Sequence, residues 1–111
     1  DIFDCVFPTR IARNGAVFTA AGVINLKKVR HEAELEPIVE GCSCSACTRY
    51  SRGYMRHLFK AGEILGPMLA SEHNLTFLST MMDEIRTSIR QSRFRDYKEA
   101  FLNEYRGKHN E

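Results

Sequence analysis

Apolar and polar positions change rhythm along this chain, and the change falls at its cluster of cysteines. Ahead of the cluster, apolar residues come in short runs separated by turn formers. Residues 1–6, Asp-Ile-Phe-Asp-Cys-Val, read as a buried strand stopped at Phe7-Pro8, because proline cannot donate to a sheet ladder. Residues 9–15 read as a polar loop closed by Asn14-Gly15. Residues 16–19 and 23–26 read as two short strands, with Ala20-Ala21-Gly22 between them as the turn of a hairpin. Residues 30–41 read as an acidic connector, carrying Glu32, Glu34, Glu36 and Glu40, in which Pro37 blocks a regular helix.

After Cys47 the period becomes helical. Tyr54, Leu58, Ala61 and Leu65 recur at helical spacing, and Gly62, Gly66 and Pro67 then predict a kink or restart. A long helix follows to about Gln91, with Leu75, Leu78, Met82, Ile85 and Ile89 as its apolar stripe. A last amphipathic helix carries Phe94, Tyr97, Phe101 and Leu102, and the tail from Gly107 is expected to fray. The pattern describes one small α+β unit, mostly helical with a short antiparallel hairpin, and no internal repeat.

Composition adds two constraints. At 111 residues and 43% hydrophobic content the core is modest, so a bound metal would help to hold it. The net charge of +2 says little, but its distribution is uneven. Arg10, Arg13, Lys27, Lys28 and Arg30 make the first thirty residues basic, and a local basic patch can hold phosphate. No apolar run approaches the ~18 residues of a membrane span, and no secretory signal is visible. The chain opens at Asp1 inside a strand-like run, which suggests the C-terminal piece of a longer protein.

Three of the four cysteines crowd into six positions as Cys42-x-Cys44-x2-Cys47. Disulfide geometry disfavours pairing within so short a segment. Thiolates at this spacing converge on one soft tetrahedral ion, usually zinc, and the usage fits a reducing compartment, the cytoplasm. The alternative is three free thiols. For a fourth ligand, His31 precedes the knuckle in a polar segment and His109 sits in the tail. His57 lies ten residues past Cys47, about 15 Å along a continuous helix. His73 comes after the glycine and proline break that lets the chain return, and it is the favoured ligand; its alternative is a helix-surface histidine. Three cysteines and a histidine leave no open position, which indicates a structural ion.

These residues also carry a resemblance. Asp4-Cys5-Val6-Phe7-Pro8-Thr9-Arg10, Ala12-Arg13-Asn14-Gly15, the cysteine knuckle, Ser51-Arg52-x-Tyr54, Gly62-Glu63-Ile64-Leu65-Gly66 and His73-Asn74 run in order over nearly the whole chain. Together they resemble the C-terminal part of a tRNA-guanine transglycosylase, also called queuine tRNA-ribosyltransferase, of the bacterial type. Pro67 departs from the small, helix-compatible residue expected there.

The resemblance implies an irregular (β/α)8 barrel with an appended zinc-binding subdomain. On that scheme residues 1–15 are the last barrel strand and active-site loop, residues 16–73 the zinc subdomain, and residues 74–111 C-terminal helices. It implies exchange of the wobble guanine of GUN-anticodon tRNAs for a 7-deazaguanine base, within the queuosine pathway. Asp4 maps onto the nucleophile, and Cys42, Cys44, Cys47 and His73 onto the ligands of one zinc. Arg10 and Arg13 look like contacts to the tRNA anticodon loop. Lys27, Lys28 and Arg30 are candidates to widen that surface, and Cys5 reads as packing. Tyr50, Tyr54 and His57 fall at i, i+4 and i+7 on one helical face, which either packs internally or meets a partner. Family members are homodimers, which favours the partner. The base pocket and its second acidic residue lie upstream in the family. The competing reading is a stand-alone zinc module for tRNA binding or dimerisation, without catalysis.

Overall fold

A computed structural model describes residues 5–107. Its elements are α1 (Phe7–Ala12), β1 (Ala16–Thr19), β2 (Gly22–Asn25), a 3₁₀ turn (Val29–His31), α2 (Ser45–Arg49), α3 (Arg52–Lys60), α4 (Leu65–Arg90) and α5 (Phe94–Gly107). α4 is the spine, and α1, β1, α2, α3 and α5 all pack on it.

The front of the chain departs from expectation. The strand expected at residues 1–6 falls mostly outside the described residues, and Cys5 and Val6 are exposed and not in a strand. Cys5 therefore does not pack. Residues 9–15 are not a loop, since α1 runs to Ala12 with Pro8 in its first turn. The first amides of a helix have no intrahelical partner, so proline there costs nothing. Gly15, at φ +89°, turns the chain into the hairpin.

The hairpin follows the sequence reading closely. Ala16 faces Asn25 and Thr19 faces Gly22 in antiparallel register. Leu26 extends the pairing by donating its N–H to Gly15 O at 2.8 Å. Val17, Ile24 and Leu26 enter a core shared with Ile38, Ala46, Met55, Leu58, Leu69 and Ala70.

The acidic connector is held by α3. Arg52 donates to Ile38 O at 2.8 Å and to Pro37 O at 3.2 Å, while the N–H of Gly53 reaches Glu34 O at 3.0 Å. A Cβ on Gly53 would lie 2.7 Å from Glu32 O, so only glycine lets the helix approach this closely. His31 is buried, with Nδ1 2.7 Å from a Glu34 carboxylate oxygen, and this contact holds the Glu34 carboxyl below its ordinary range.

The predicted break lies slightly earlier than Pro67. α3 closes with Gly62 at φ +72°, Gly62 N–H on Phe59 O and Glu63 N–H on Leu58 O, a Schellman arrangement. Pro67 then occupies the first turn of α4, where its missing N–H is harmless. A Cβ on Gly66 would meet Leu58 Cβ at 3.3 Å, so this glycine allows α3 and α4 to pack closely.

The apolar stripe expected to face the core on α4 does not. Leu75 is 51% and Ile89 59% exposed, and Leu78, Met82 and Ile85 are half-buried. The buried face is Gly66, Leu69, Ala70, His73, Asn74 and Ser88, roughly opposite on the helix. α4 is apolar on two sides, and its inner side is made of small and polar residues that a hydropathy period cannot detect. On α5, Tyr97, Phe101 and Tyr105 form a ladder of rings, with centroids 6.0 and 5.8 Å apart. The tail expected to fray, beyond Gly107, lies outside the described residues.

Candidate metal centre

Cys44 caps α2, its sulfur accepting the N–H of Cys47 at 3.3 Å. That cap turns the chain so that Cys42, Cys44 and Cys47 face one point. α4 brings His73 to the same point after the return at Gly62. The four ligand atoms lie within 4.8 Å of one another, and they are the only such group among the described residues. His73 Nδ1 is 3.6 Å from Cys42 Sγ, 3.3 Å from Cys44 Sγ and 3.4 Å from Cys47 Sγ. A tetrahedral ion with the usual zinc–sulfur and zinc–nitrogen bond lengths needs sulfur–nitrogen edges of about 3.6 Å. The donor set fits a thiophilic divalent ion, which can sit among these atoms with small adjustments.

The surroundings orient the ligands. His73 is fully buried, and its Nε2 donates to Phe18 O at 2.8 Å. This fixes the tautomer and leaves the Nδ1 lone pair facing the sulfurs. Val39 N–H points at Cys47 Sγ at 3.4 Å, supporting negative charge there. Glu72 accepts from Ser45 Oγ at 3.2 Å and ties the knuckle to α4.

Sulfurs this close share their protons. The Cys47 thiol hydrogen-bonds to Cys44 and draws the Cys44 thiol down to about 4; burial opposes this and His73 assists. The same hydrogen bond, with burial, pushes the Cys47 thiol far up, and burial raises Cys42. Cys42 and Cys47 are the thiols whose surroundings resist loss of the proton, and a bound cation must overcome that resistance. Loading a cation onto this cluster is therefore expected to release thiol protons, and the apparent affinity to rise with pH. Proton release into a weakly buffered indicator dye measures this; metal binding with no proton release contradicts the assignment.

Other sequence candidates lie elsewhere. His31 and His57 are away from the sulfurs, His57 exposed on α3 and His31 beneath the connector. His109 and Asp4 lie outside the described residues. Arg10 and Arg13 are exposed, three residues apart at the end of α1 rather than on a loop, and Arg10 rests 5.8 Å over the Phe7 ring. Tyr50 does not share a helix with Tyr54, because the chain breaks between α2 and α3. The rings nevertheless stack at 5.1 Å, with His57 6.0 Å beyond Tyr54. Sequence reasoning missed the structural work of Arg52, Glu72 and Asn74. Asn74 carried a signal, a polar amide next to a ligand in mid-helix.

A family model described as queuine tRNA-ribosyltransferase matches residues 1–107. The queuine tRNA-ribosyltransferase of Caldanaerobacter subterraneus subsp. tengcongensis is 50% identical over 111 residues, which is all of this chain and 30% of that protein. Those of Bacillus subtilis and Borrelia hermsii are 48% and 47% identical over 105 residues, 95% of this chain and 28% of each relative. The chain thus spans about a third or less of the curated relatives it matches. No described helix is long and apolar enough to cross a membrane.

Proposed function

Because the chain belongs to the queuine tRNA-ribosyltransferase family, we propose that it is the C-terminal segment of an enzyme that exchanges the wobble guanine of GUN-anticodon tRNAs for a 7-deazaguanine base. The carrying observation is similarity over the whole chain, joined to a three-cysteine, one-histidine group in binding geometry.

Asp4 is the nucleophile in this reading. Replacing a base without cutting the backbone requires attack at the ribose anomeric carbon. The carboxylate oxygen forms a bond to that carbon as the bond to guanine N9 breaks, and guanine leaves with a proton given by the second acidic group, which later regains one from the incoming base. The N9 of the incoming base then attacks the same carbon and loses its proton, and the ester-like bond to Asp4 breaks to restore the carboxylate. The target base must leave the stack to be reached. The rest of the barrel supplies the base pocket and the second acidic group, so the isolated 111-residue chain should hold metal but not turn over. Residues 1–15, with α1 in place of the expected loop, complete the barrel edge, and residues 16–73 form the zinc subdomain, which shares α4 with the C-terminal helices of residues 74–111. The cytoplasm is the matching compartment.

Zinc held by Cys42, Cys44, Cys47 and His73 has a complete protein shell, and it supplies a cross-link between knuckle, hairpin and α4. Arg10 and Arg13 present their guanidinium groups from one end of α1 to the anticodon loop. The experiment is incorporation of labelled guanine into GUN-anticodon tRNA by the full-length protein, with a tRNA of another anticodon as control. Arg10→Ala and Arg13→Ala should each weaken tRNA binding and reduce its salt slope by about 1. Equal labelling of both tRNAs, or an unchanged slope, counts against the assignment.

The protein acts as a homodimer in this reading. The stacked Tyr50, Tyr54 and His57 expose Tyr54 by 42%, and a rigid aromatic ladder suits an interface centre. The outward apolar face of α4, including Ile64, Met68 and Leu75, has no cover among the described residues and is further surface for assembly. Tyr54→Ala should weaken self-association about tenfold or more in analytical ultracentrifugation of the full-length protein. Unchanged dissociation would remove the ladder from the interface.

A further inference from the structure

We propose that Asn74 is a positioning residue that sets α1, and with it Arg10, Arg13 and the chain leaving Asp4, in register with the metal centre. This rests on the role in base exchange assigned to those residues above.

Asn74 sits in the interior of α4 and is fully buried. Asparagine is a weak helix former, because its amide competes for backbone groups. Here that amide is spent entirely on other elements. Its Oδ1 accepts the N–H of Phe18 at 3.0 Å, and its Nδ2 donates to Pro8 O at 2.9 Å and Ala16 O at 3.1 Å. Both amide hydrogens and one acceptor site are used, in a region without solvent.

The neighbouring residue completes the device. His73 Nε2 holds the Phe18 carbonyl while its Nδ1 faces the three sulfurs. Two consecutive residues of α4 therefore grip both main-chain groups of Phe18, His73 its carbonyl and Asn74 its N–H. The metal end of His73 is fixed by the sulfurs, and the far end of the grip reaches Pro8. Pro8 lies four residues after Asp4 and two before Arg10.

α1 needs such a tie. It has six residues, its N-cap Val6 makes no side-chain capping bond, and only Pro8 and Ala12 are buried. The remaining packing, through Pro8, Ala12, half-buried Ile11 and the Phe7 ring 6.4 Å from that of Phe18, is apolar and does not fix the helix by direction. A directional amide bridge does. Active groups must be held to about half an ångström, so slack in α1 would misplace the arginines and the point where the chain from Asp4 enters the helix.

The test uses the full-length, zinc-loaded protein and two variants. Asn74→Asp is nearly isosteric and still accepts from Phe18, but its second oxygen faces two carbonyls. Asn74→Ser is too short to span the gap. Each variant should keep one zinc per chain and the ligand-field spectrum of the cobalt-substituted site. The amides of Arg10, Arg13 and Asn14 should exchange at least tenfold faster, and formation of the covalent tRNA complex should slow at least tenfold. Unchanged α1 protection in both variants overturns the proposal, as does faster exchange with an unchanged rate. Loss of zinc and helix in both makes Asn74 a plain core residue and also overturns it. A wild-type protein that forms no covalent complex refutes the assigned reaction instead, while the exchange data still report on the bridge.

Discussion

Cys44→Ala is expected to unfold this domain, not merely to weaken it. The residue has two roles that fail together. It is 2% exposed and caps α2 through its sulfur, so its loss removes the turn that aims the knuckle. It also lies 3.3 Å from His73 Nδ1, so its loss opens the ligand shell. A structural zinc contributes on the order of 10–16 kcal/mol of apparent folding free energy, whereas whole domains are stable by about 5–15 kcal/mol. The metal term is thus as large as the margin of stability. The core offers little in reserve: its fully buried members Ala12, Val17, Leu26, Ile38, Ala46, Met55 and Ala70 include no large aromatic side chain. Circular dichroism and zinc analysis of the variant check the outcome, and a strong chelator should reproduce it in the wild type. A Cys44→Ala protein with native helix content and an unchanged melting temperature would show that apolar packing suffices.

The parts of this fold that could be read from sequence are those whose signal is local. The cysteine spacing, the hairpin around Ala20-Ala21, and the return at Gly62 each announce themselves within a few residues, and each is present. α1 was not legible because Pro8 has opposite meanings in two settings. It stops a strand, but in the first turn of a helix it is well placed. The inner face of α4 was misplaced for a different reason. A stripe of Leu, Met and Ile is the strongest periodic signal on that helix, yet the side that meets the core must admit the imidazole of His73, the amide of Asn74 and the backbone of β1. Close approach selects small and polar residues, and tertiary hydrogen bonds make up for their polarity. The knuckle face of Tyr50, Tyr54 and His57 was right as a group and wrong as a helix. The rings align across a break that periodicity alone does not register.

That contrast bears on how metal and chemistry divide along the chain. The candidate metal centre joins the knuckle, α4 and, through Phe18, the hairpin. It offers four protein donors, a set that suits holding other elements in place. The residues assigned to the substrate stand at the front, on or before α1.

Asp4→Asn separates these two layers, and it should be the most damaging substitution that leaves the fold intact. The amide is isosteric with the carboxylate but carries no negative charge and cannot form the ester-like bond to the anomeric carbon. Zinc content, melting temperature and tRNA affinity should stay near wild type, since Asp4 is none of the four metal ligands and the amide keeps the shape of the carboxylate. Base exchange should fall by on the order of 10⁴-fold or more, the scale on which loss of a nucleophile registers. The denaturation-resistant enzyme–tRNA species should vanish, because it requires that bond. The loss should appear in kcat with KM for tRNA little changed, since the interaction removed forms only as the glycosidic bond breaks. In Cys44→Ala, by contrast, binding, metal and turnover all disappear together. A covalent tRNA complex that persists in Asp4→Asn would exclude Asp4 as nucleophile. It would also direct attention to a carboxylate elsewhere in the full-length protein, while leaving the family assignment and the metal centre as they are.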